Sequence, residues 1–235
     1  YRIHDRPNED KIKSFAQFIK KFGYNINTSN SKKTAESINR LLSSIHGKSI
    51  ENLVETLALR SMSKAEYSTK NIGHYGLAFD YYTHFTSPIR RYPDMMVHRL
   101  LDHYMKNGKS KDSEKYEKMC KHASEMEQKA TEAERASIKF KQVEFLSDKI
   151  GNTYEGTITG VTEWGIYVEI NENKCEGMIP IREIDDDFYY FDEDNYCLIG
   201  NRHGRRFQLG DPIKIKIWKT NLLKKQIDFR LSDES

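Results

Sequence analysis

No run of apolar residues in this chain approaches the ~18 that a membrane-spanning helix requires, and its first residues carry no signal-peptide pattern. Cysteine is scarce. Cys120, Cys175 and Cys197 are odd in number and lack ligand spacing, which argues against a disulfide framework or structural zinc and fits a reducing cytosol. Histidine is more plentiful, at eight, but His98 and His103 lie five apart on a helical stretch rather than four. No carboxylate completes a cluster with them, so no metal site is expected within the chain. No internal repeat is present. Apolar residues make up only 37% and charged residues 31%, yet 27 aromatics argue against disorder.

The 235 residues suffice for one large domain or two ordinary ones. The chain begins at Tyr1, inside what reads as a domain, so a segment of a longer protein is expected. A net charge of +3 hides an asymmetry: residues 1–149 hold 27 Lys and Arg against 19 Asp and Glu, and the remainder 11 against 16. The basic first part favours a polyanionic partner. The acidic second part argues against nucleic-acid binding by charge alone.

Periodicity divides the chain at the same place. Between Asn8 and Phe22, Ile12, Phe15, Phe18, Ile19 and Phe22 form one helical stripe that Gly23 ends. Thr34 to Ile45 and Ile50 to Met62 repeat the pattern, and Ala65 to Leu77 has strand and loop character. After Pro93 a helix should turn Met96, Val97, Leu100, Leu101 and Tyr104 inward. Asp112 to Phe145, rich in Glu, Lys and Ala without Gly or Pro, is strongly helix-forming. From Gly151 the period becomes two. Thr153 to Val161, Trp164 to Ile170, Gly177 to Pro180, Asp211 to Lys219 and Lys225 to Leu231 read as five short strands, the pattern of a small barrel of the OB kind. The fold class expected is therefore α+β: a mostly helical part over 1–149, then an all-β OB-fold barrel over 150–235.

One stretch stands out for chemistry: Thr86-Ser87-Pro88-Ile89-Arg90-Arg91-Tyr92-Pro93-Asp94. Two arginines at a helix start oppose the helix dipole, while unpaired N–H groups there favour phosphate. Thr86 and Ser87 suit capping and Pro88 and Pro93 suit a first turn. Hydroxyls, amides and an arginine fork on one spot read as an oxyanion site. The competing reading has Arg90 and Arg91 pointing into water or pairing with carboxylates. The acidic run Asp185-Asp186-Asp187 with Asp192, Glu193 and Asp194 reads as a solvated loop over Phe188, Tyr189, Tyr190 and Phe191. For Arg202, Arg205 and Arg206 only a loop is expected.

His74-Tyr75-Gly76-Leu77, the run from Tyr82 to Asp94 and His98-Arg99-Leu100-Leu101 together resemble the later half of the catalytic domain of the ribonuclease II/ribonuclease R family. Tyr1 to Pro7 and Ala133-Glu134-Arg135 resemble flanking segments, so the resemblance covers essentially the whole chain. The barrel resembles the RNA-binding domain of the ribosomal-protein-S-one type that follows the catalytic domain in that family.

The resemblance implies hydrolysis of single-stranded RNA from its 3′ end, with nucleoside 5′-monophosphates released and Mg²⁺ held by aspartates of the domain's earlier half. No residue here matches those aspartates, so the chain is expected to lack the metal ligands, to depend on the missing N-terminal half and to be inactive alone. By the same resemblance Arg90 lies beside the scissile phosphate, Arg91 holds a neighbouring phosphate and Glu134 lines the RNA path. His74 and Tyr75 approach the 3′ nucleotides, with Thr86 and Ser87 also on the RNA-binding side. For Glu134 a plain surface helix residue is the alternative, and for Tyr75 a core aromatic. Trp164 and Tyr167 flank the Gly165 turn as candidates for base stacking, with core packing as the rival; strand alternation would send them to opposite faces unless a bulge intervenes. A cytoplasmic RNA-degrading enzyme is the leading expectation. A noncatalytic RNA-binding or regulatory protein on the same scaffold is the second, and a translation-associated protein defined by the barrel alone the third.

Overall fold

The computed structural model describes residues 1–48, 50–193 and 195–232. In chain order it forms β1 (Arg2–His4), α1 (Glu9–Lys20), α2 (Ser31–Ile45), α3 (Glu51–Ser61), β2 (Ala65–Tyr67), α4 (Tyr92–Met105) and α5 (Ser113–Ser147). Eight strands follow: β3 (Thr153–Thr162), β4 (Gly165–Ile170), β5 (Glu176–Pro180), β6 (Tyr189–Asp192), β7 (Cys197–Gly200), β8 (Arg206–Gln208), β9 (Pro212–Asn221) and β10 (Gln226–Leu231). The fold is α+β, helices and a closed barrel.

Helix starts follow side-chain chemistry. The Asn8 carboxamide oxygen accepts from the amides of Asp10 and Lys11, that of Asn30 from Lys33, and the Asp112 carboxylate from Glu114 and Lys115. Each satisfies N–H groups that a first turn leaves without partners. Gly23, at φ +80°, ends α1 while the Tyr24 amide reaches back to the Ile19 carbonyl. Helix α5 runs about 50 Å at 1.5 Å per residue, and every residue from Gln128 to Arg135 is exposed. Its helicity there rests on propensity and on pairs such as Gln128 to Glu132 (2.9 Å) rather than on packing.

The structure divides into two compact units, neither a continuous segment: Tyr1–Phe15, Asn27–Ser37 and Ala58–Ala133 form the first, and Ala16–Ile26, Ile38–Leu57 and Glu134–Ser235 the second. In the first, β1 pairs antiparallel with β2, and Tyr67, Met96 and Cys120 form a small core. The expected inward stripe of α4 is only partly covered: Met96 is buried, whereas Leu101 and Tyr104 are about half exposed; Met105, outside the stripe, is 76% exposed.

In the second unit β3, β4, β5, β10 and β9 close into a barrel, β5 and β10 pairing in parallel and the other neighbours antiparallel. This is the strand order of an OB-fold. Alternation sends Ile158, Ile166, Val168, Ile179, Ile215, Ile217 and Phe229 inward, and Val143 and Leu146 of α5 join the same core. Gly165, at φ +149°, permits the close approach of β4 to β5, since a Cβ there would lie 2.1 Å from the Ile179 carbonyl oxygen.

Between β5 and β9 the chain inserts a three-stranded antiparallel sheet, β6-β7-β8, where only a loop was expected. Tyr189, Phe191, Leu198 and Phe207 attach it to the barrel core. Asp187 corrects the reading of a solvated acidic run. Its side chain is buried and accepts from the amides of Phe188, Arg202 and His203. Burial pushes its carboxyl up, but those amides outweigh it and hold the group below the usual carboxylate range. Phe188 and Tyr190, expected beneath the loop, are instead exposed. The end of α1 belongs to this unit: Phe18 meets Tyr196 edge-on at 5.3 Å, and Lys21 donates to Asn195.

Candidate nucleic-acid interface

In the first unit the arginine stretch forms a tight turn before α4. The amides of Arg90 and Arg91 both donate to the Ser87 carbonyl, and the helix begins at Tyr92 with extended Arg91 as its N-cap. Thr86 and Ser87 therefore precede the turn and do not cap α4. Asp94 organises it. Fully buried, it accepts from the Ser87 amide (2.8 Å) and from an Arg91 guanidinium nitrogen (2.9 Å) through the same oxygen. Burial raises its pKa, but the Ser87 amide and Arg91 prevail and the carboxyl lies below its ordinary value.

For Arg91, pairing with a carboxylate is thus the arrangement found, and the Ser87 amide is already engaged. Arg90 differs: it is exposed, and no ion pair or hydrogen bond engages its guanidinium among the described residues. Arg91 Nε, Asp94 Oδ1 and the Tyr75 hydroxyl are buried polar atoms without a protein partner. Groups of that kind cost about 1–3 kcal/mol each unless something else satisfies them.

Beside the turn lies a cluster of rings. His74 caps a single 3-10 turn (Tyr75–Leu77), accepting from the Leu77 amide through Nδ1, and Ala78 beyond it adopts a left-handed conformation. Its ring meets His4 at 5.0 Å and Tyr82 at 5.1 Å, both edge-on. His4 donates from Nε2 to the Ser63 carbonyl and accepts from the Gly76 amide, which fixes its tautomer. Tyr82 also meets His84, which is hydrogen-bonded to the Tyr67 hydroxyl at 2.8 Å. The Arg2 guanidinium covers Tyr67 and pairs with Glu127 at 2.6 Å. Burial, then the charge of His4, lowers the pKa of His74; burial, then Arg91 and Arg2, lowers that of His84. Tyr75 is half-buried rather than a core aromatic, and burial raises its pKa.

The remaining candidates lie in the second unit. Glu134 is exposed on α5 without an ion pair among the described residues. Trp164 is 68% exposed at the turn between β3 and β4, and Tyr167 is 36% exposed on β4. Both face solvent because Trp164 sits in the turn, where strand alternation does not apply. A register shift between Ile158 and Gly160 then sets Tyr167 against Gly160. Thr159 on β3 donates across β4 to Glu176 on β5, and Lys174 pairs with Glu169, so the carboxylates of this face are engaged and its aromatic groups stand out. Sequence reasoning quoted Asp94, His4, Tyr82 and His84 within the resembling segments without giving any of them a role. The three-residue spacing from Arg91 to Asp94 was a usable signal for the first; His4 and His84 meet His74 and Tyr67 through long-range contacts.

Residues 1–107 match the RNB domain family and residues 147–232 the S1 RNA binding domain family. Ribonuclease R of Aquifex aeolicus is 37% identical over all of this chain and 34% of its own length. Ribonuclease R 1 of Lactococcus lactis is 39% identical over 97% of the chain and 28% of its own. The chain belongs to the ribonuclease II/ribonuclease R family. It spans about a third of the length of the curated relatives it matches. Among solved structures, Mycoplasma genitalium RNase R in complex with ribose-methylated single-stranded RNA superposes with a TM-score of 0.84 and 30% identity, over 99% of this chain and 37% of that one. Among the described residues no helix is long and apolar enough to cross a membrane.

Proposed function

We propose that the complete protein is a cytoplasmic 3′-to-5′ exoribonuclease that hydrolyses single-stranded RNA to nucleoside 5′-monophosphates. The observation that carries this reading is Arg90, an unpaired guanidinium on a turn that buried Asp94 ties down through Ser87 and Arg91. In-line attack of water on a phosphodiester builds charge on the phosphate oxygens. A guanidinium aimed there stabilises the transition state more than the ground state. Arg91 keeps the neighbouring phosphate in register, and Thr86 and Ser87 offer hydroxyls just before the turn. His74 and Tyr75 give the 3′ nucleotides an aromatic wall. Glu134 lines the RNA path, and Trp164 and Tyr167 stack bases on the S1 part.

Magnesium is a separate matter. The described residues hold no group of three His, Cys, Asp or Glu able to bind an ion, and Asp94 is already engaged. These residues do not fit a magnesium site, so its ligands are assigned to a part of the protein outside this segment, and the segment alone is inactive. The division proposed along the chain is 1–149 for the catalytic-domain portion and 150–235 for the S1 portion. The uncovered face of α4 and Ile89, 96% exposed, is the surface on which the remaining part rests.

The test is degradation of a 5′-labelled single-stranded RNA with Mg²⁺ by the complete protein and by this segment, side by side. Stepwise shortening by the complete protein alone is expected. RNA left intact by both, despite binding, would make the protein a noncatalytic RNA-binding member of the family.

A further inference from the structure

The inserted sheet β6-β7-β8 contributes more than packing. Its inner face is apolar, but across the outer face register aligns Tyr190 with Ile199 and Ile199 with Arg206. Tyr190 is 54% exposed and Arg206 is exposed. At the adjoining turn Phe188, 71% exposed, lies under the Arg202 guanidinium at 5.5 Å. An exposed aromatic held against an arginine presents a flat face and a cation together, the pairing on which a nucleobase and its phosphate dock.

The charge of the insert is arranged to match. Although its sequence is acidic, its carboxylates are largely consumed internally. Asp187 is taken by three amides, Asp186 by Arg205 and the Tyr189 hydroxyl, and Asp211 by the Gln208 amide. Arg202, Arg206 and Lys214 keep no carboxylate partner among the described residues, and all three are exposed. Arg205, Arg206 and Lys214 also line a cleft of about 290 Å³ over Ile158, Phe207 and Ile213. Its size is at the small end for ligand clefts.

We infer that this insert is a second single-stranded RNA contact on the S1 part, sharing no residue with Trp164 and Tyr167. Arg202, Arg206 and Lys214 take successive phosphates, and Phe188 and Tyr190 take bases. The inference rests on the RNA-binding reading above and adds the place and chemistry of a further subsite. A polyanion with stackable faces is favoured over an acidic peptide because exposed Phe188 lies against the Arg202 guanidinium and exposed Tyr190 shares its face of the sheet with Arg206 across β7.

The test uses this 235-residue chain and a fluorescent single-stranded oligoribonucleotide, with affinity measured by anisotropy across a salt series. The triple variant R202Q/R206Q/K214Q is expected to lower the slope of log affinity against log salt by roughly two, at about 0.7 per single-strand phosphate contact. Phe188→Leu is expected to weaken binding about fivefold with the slope unchanged, as loss of a stack does. Trp164→Ala serves as the reference for the other face, and near-ultraviolet circular dichroism confirms that each variant is folded. Wild-type slope and affinity in both insert variants, with Trp164→Ala impaired, would overturn the subsite alone. No binding by the wild-type chain would overturn the RNA-binding reading and the subsite with it.

Discussion

The barrel and the arginine-bearing unit finish their folding differently. In the barrel every strand has two partners, and the inward isoleucines and Phe229 are essentially inaccessible. In the first unit the sheet is two short strands, the buried cluster is small, and α4 leaves half of its apolar stripe uncovered. A closed barrel has no free edge and satisfies its own backbone. The first unit instead holds unsatisfied groups: Arg91 Nε and Asp94 Oδ1 at a turn that carries a free arginine, and the Tyr75 hydroxyl in the ring cluster. Self-sufficiency marks a scaffold, and such unmet needs mark a surface that works with something else.

The largest effect that would break this contrast is expected inside the barrel. Phe229 is fully buried beneath Gly177, where even an added Cβ would lie 2.5 Å from its ring. Phe229→Ala should cost about 3–5 kcal/mol by lost burial and the cavity left behind. Chemical denaturation followed by Trp164 and Trp218 fluorescence would measure it. A loss below about 1 kcal/mol would mean the barrel core is not close-packed.

On the other side of the comparison, Arg90→Ala should leave the fold intact, because the side chain touches nothing that it stabilises. In the complete protein we expect turnover to fall about 10²–10³-fold with RNA affinity changed far less, as for a group that meets transition-state charge. Equal losses in binding and turnover would make Arg90 a binding residue only.

The sequence announced the regular parts of both regions and missed the long-range ones. Helical stripes and period-two runs announced α1, α2, α3, α4 and all five barrel strands, because burial on one face imposes those periods locally, and composition without Gly or Pro announced α5. The insert escaped because Asp187 is satisfied by amides of Arg202 and His203, 15 and 16 residues on, which no local pattern reports. Assignment of the end of α1 to the barrel's unit escaped for the same reason, since Phe18 meets Tyr196. At the arginine turn, Asp94 was quoted in the stretch without a role, yet it is the residue that fixes the turn. Trp164 and Tyr167 are both exposed because Trp164 falls in the turn before β4, one residue outside the strand over which alternation holds.

Asp94→Asn sharpens that last point with an intermediate effect. The variant keeps the shape but loses the charge that Arg91 faces in a buried site. A cost of about 1–3 kcal/mol in the first unit is expected, with the barrel unaffected. Hydrogen exchange would report it as lost protection in the turn and α4. Uniform loss across both units would mean that they unfold as one.

The smallest effect separates the two regions by pH. His74 and His84 are held below their ordinary value of 6.5, first by burial and then by neighbouring positive charge, so the folded first unit prefers them neutral. For a group whose folded pKa is depressed, the unfolded chain binds protons first, and stability falls as pH drops. Their contribution is fully present above 6.5 and is lost as pH descends through the lower folded values. The second unit's depressed acidic groups are carboxylates, Asp187, Glu183 and Glu51, whose ordinary values are 3.8, 4.5 and 4.5. Their contribution persists through that window and fades only below it. Between pH 7 and 5, therefore, hydrogen exchange corrected for intrinsic rate should rise in the His74–His84 loop while the barrel strands keep their protection. Simultaneous loss in both units would show that the histidine cluster is not what acid attacks first.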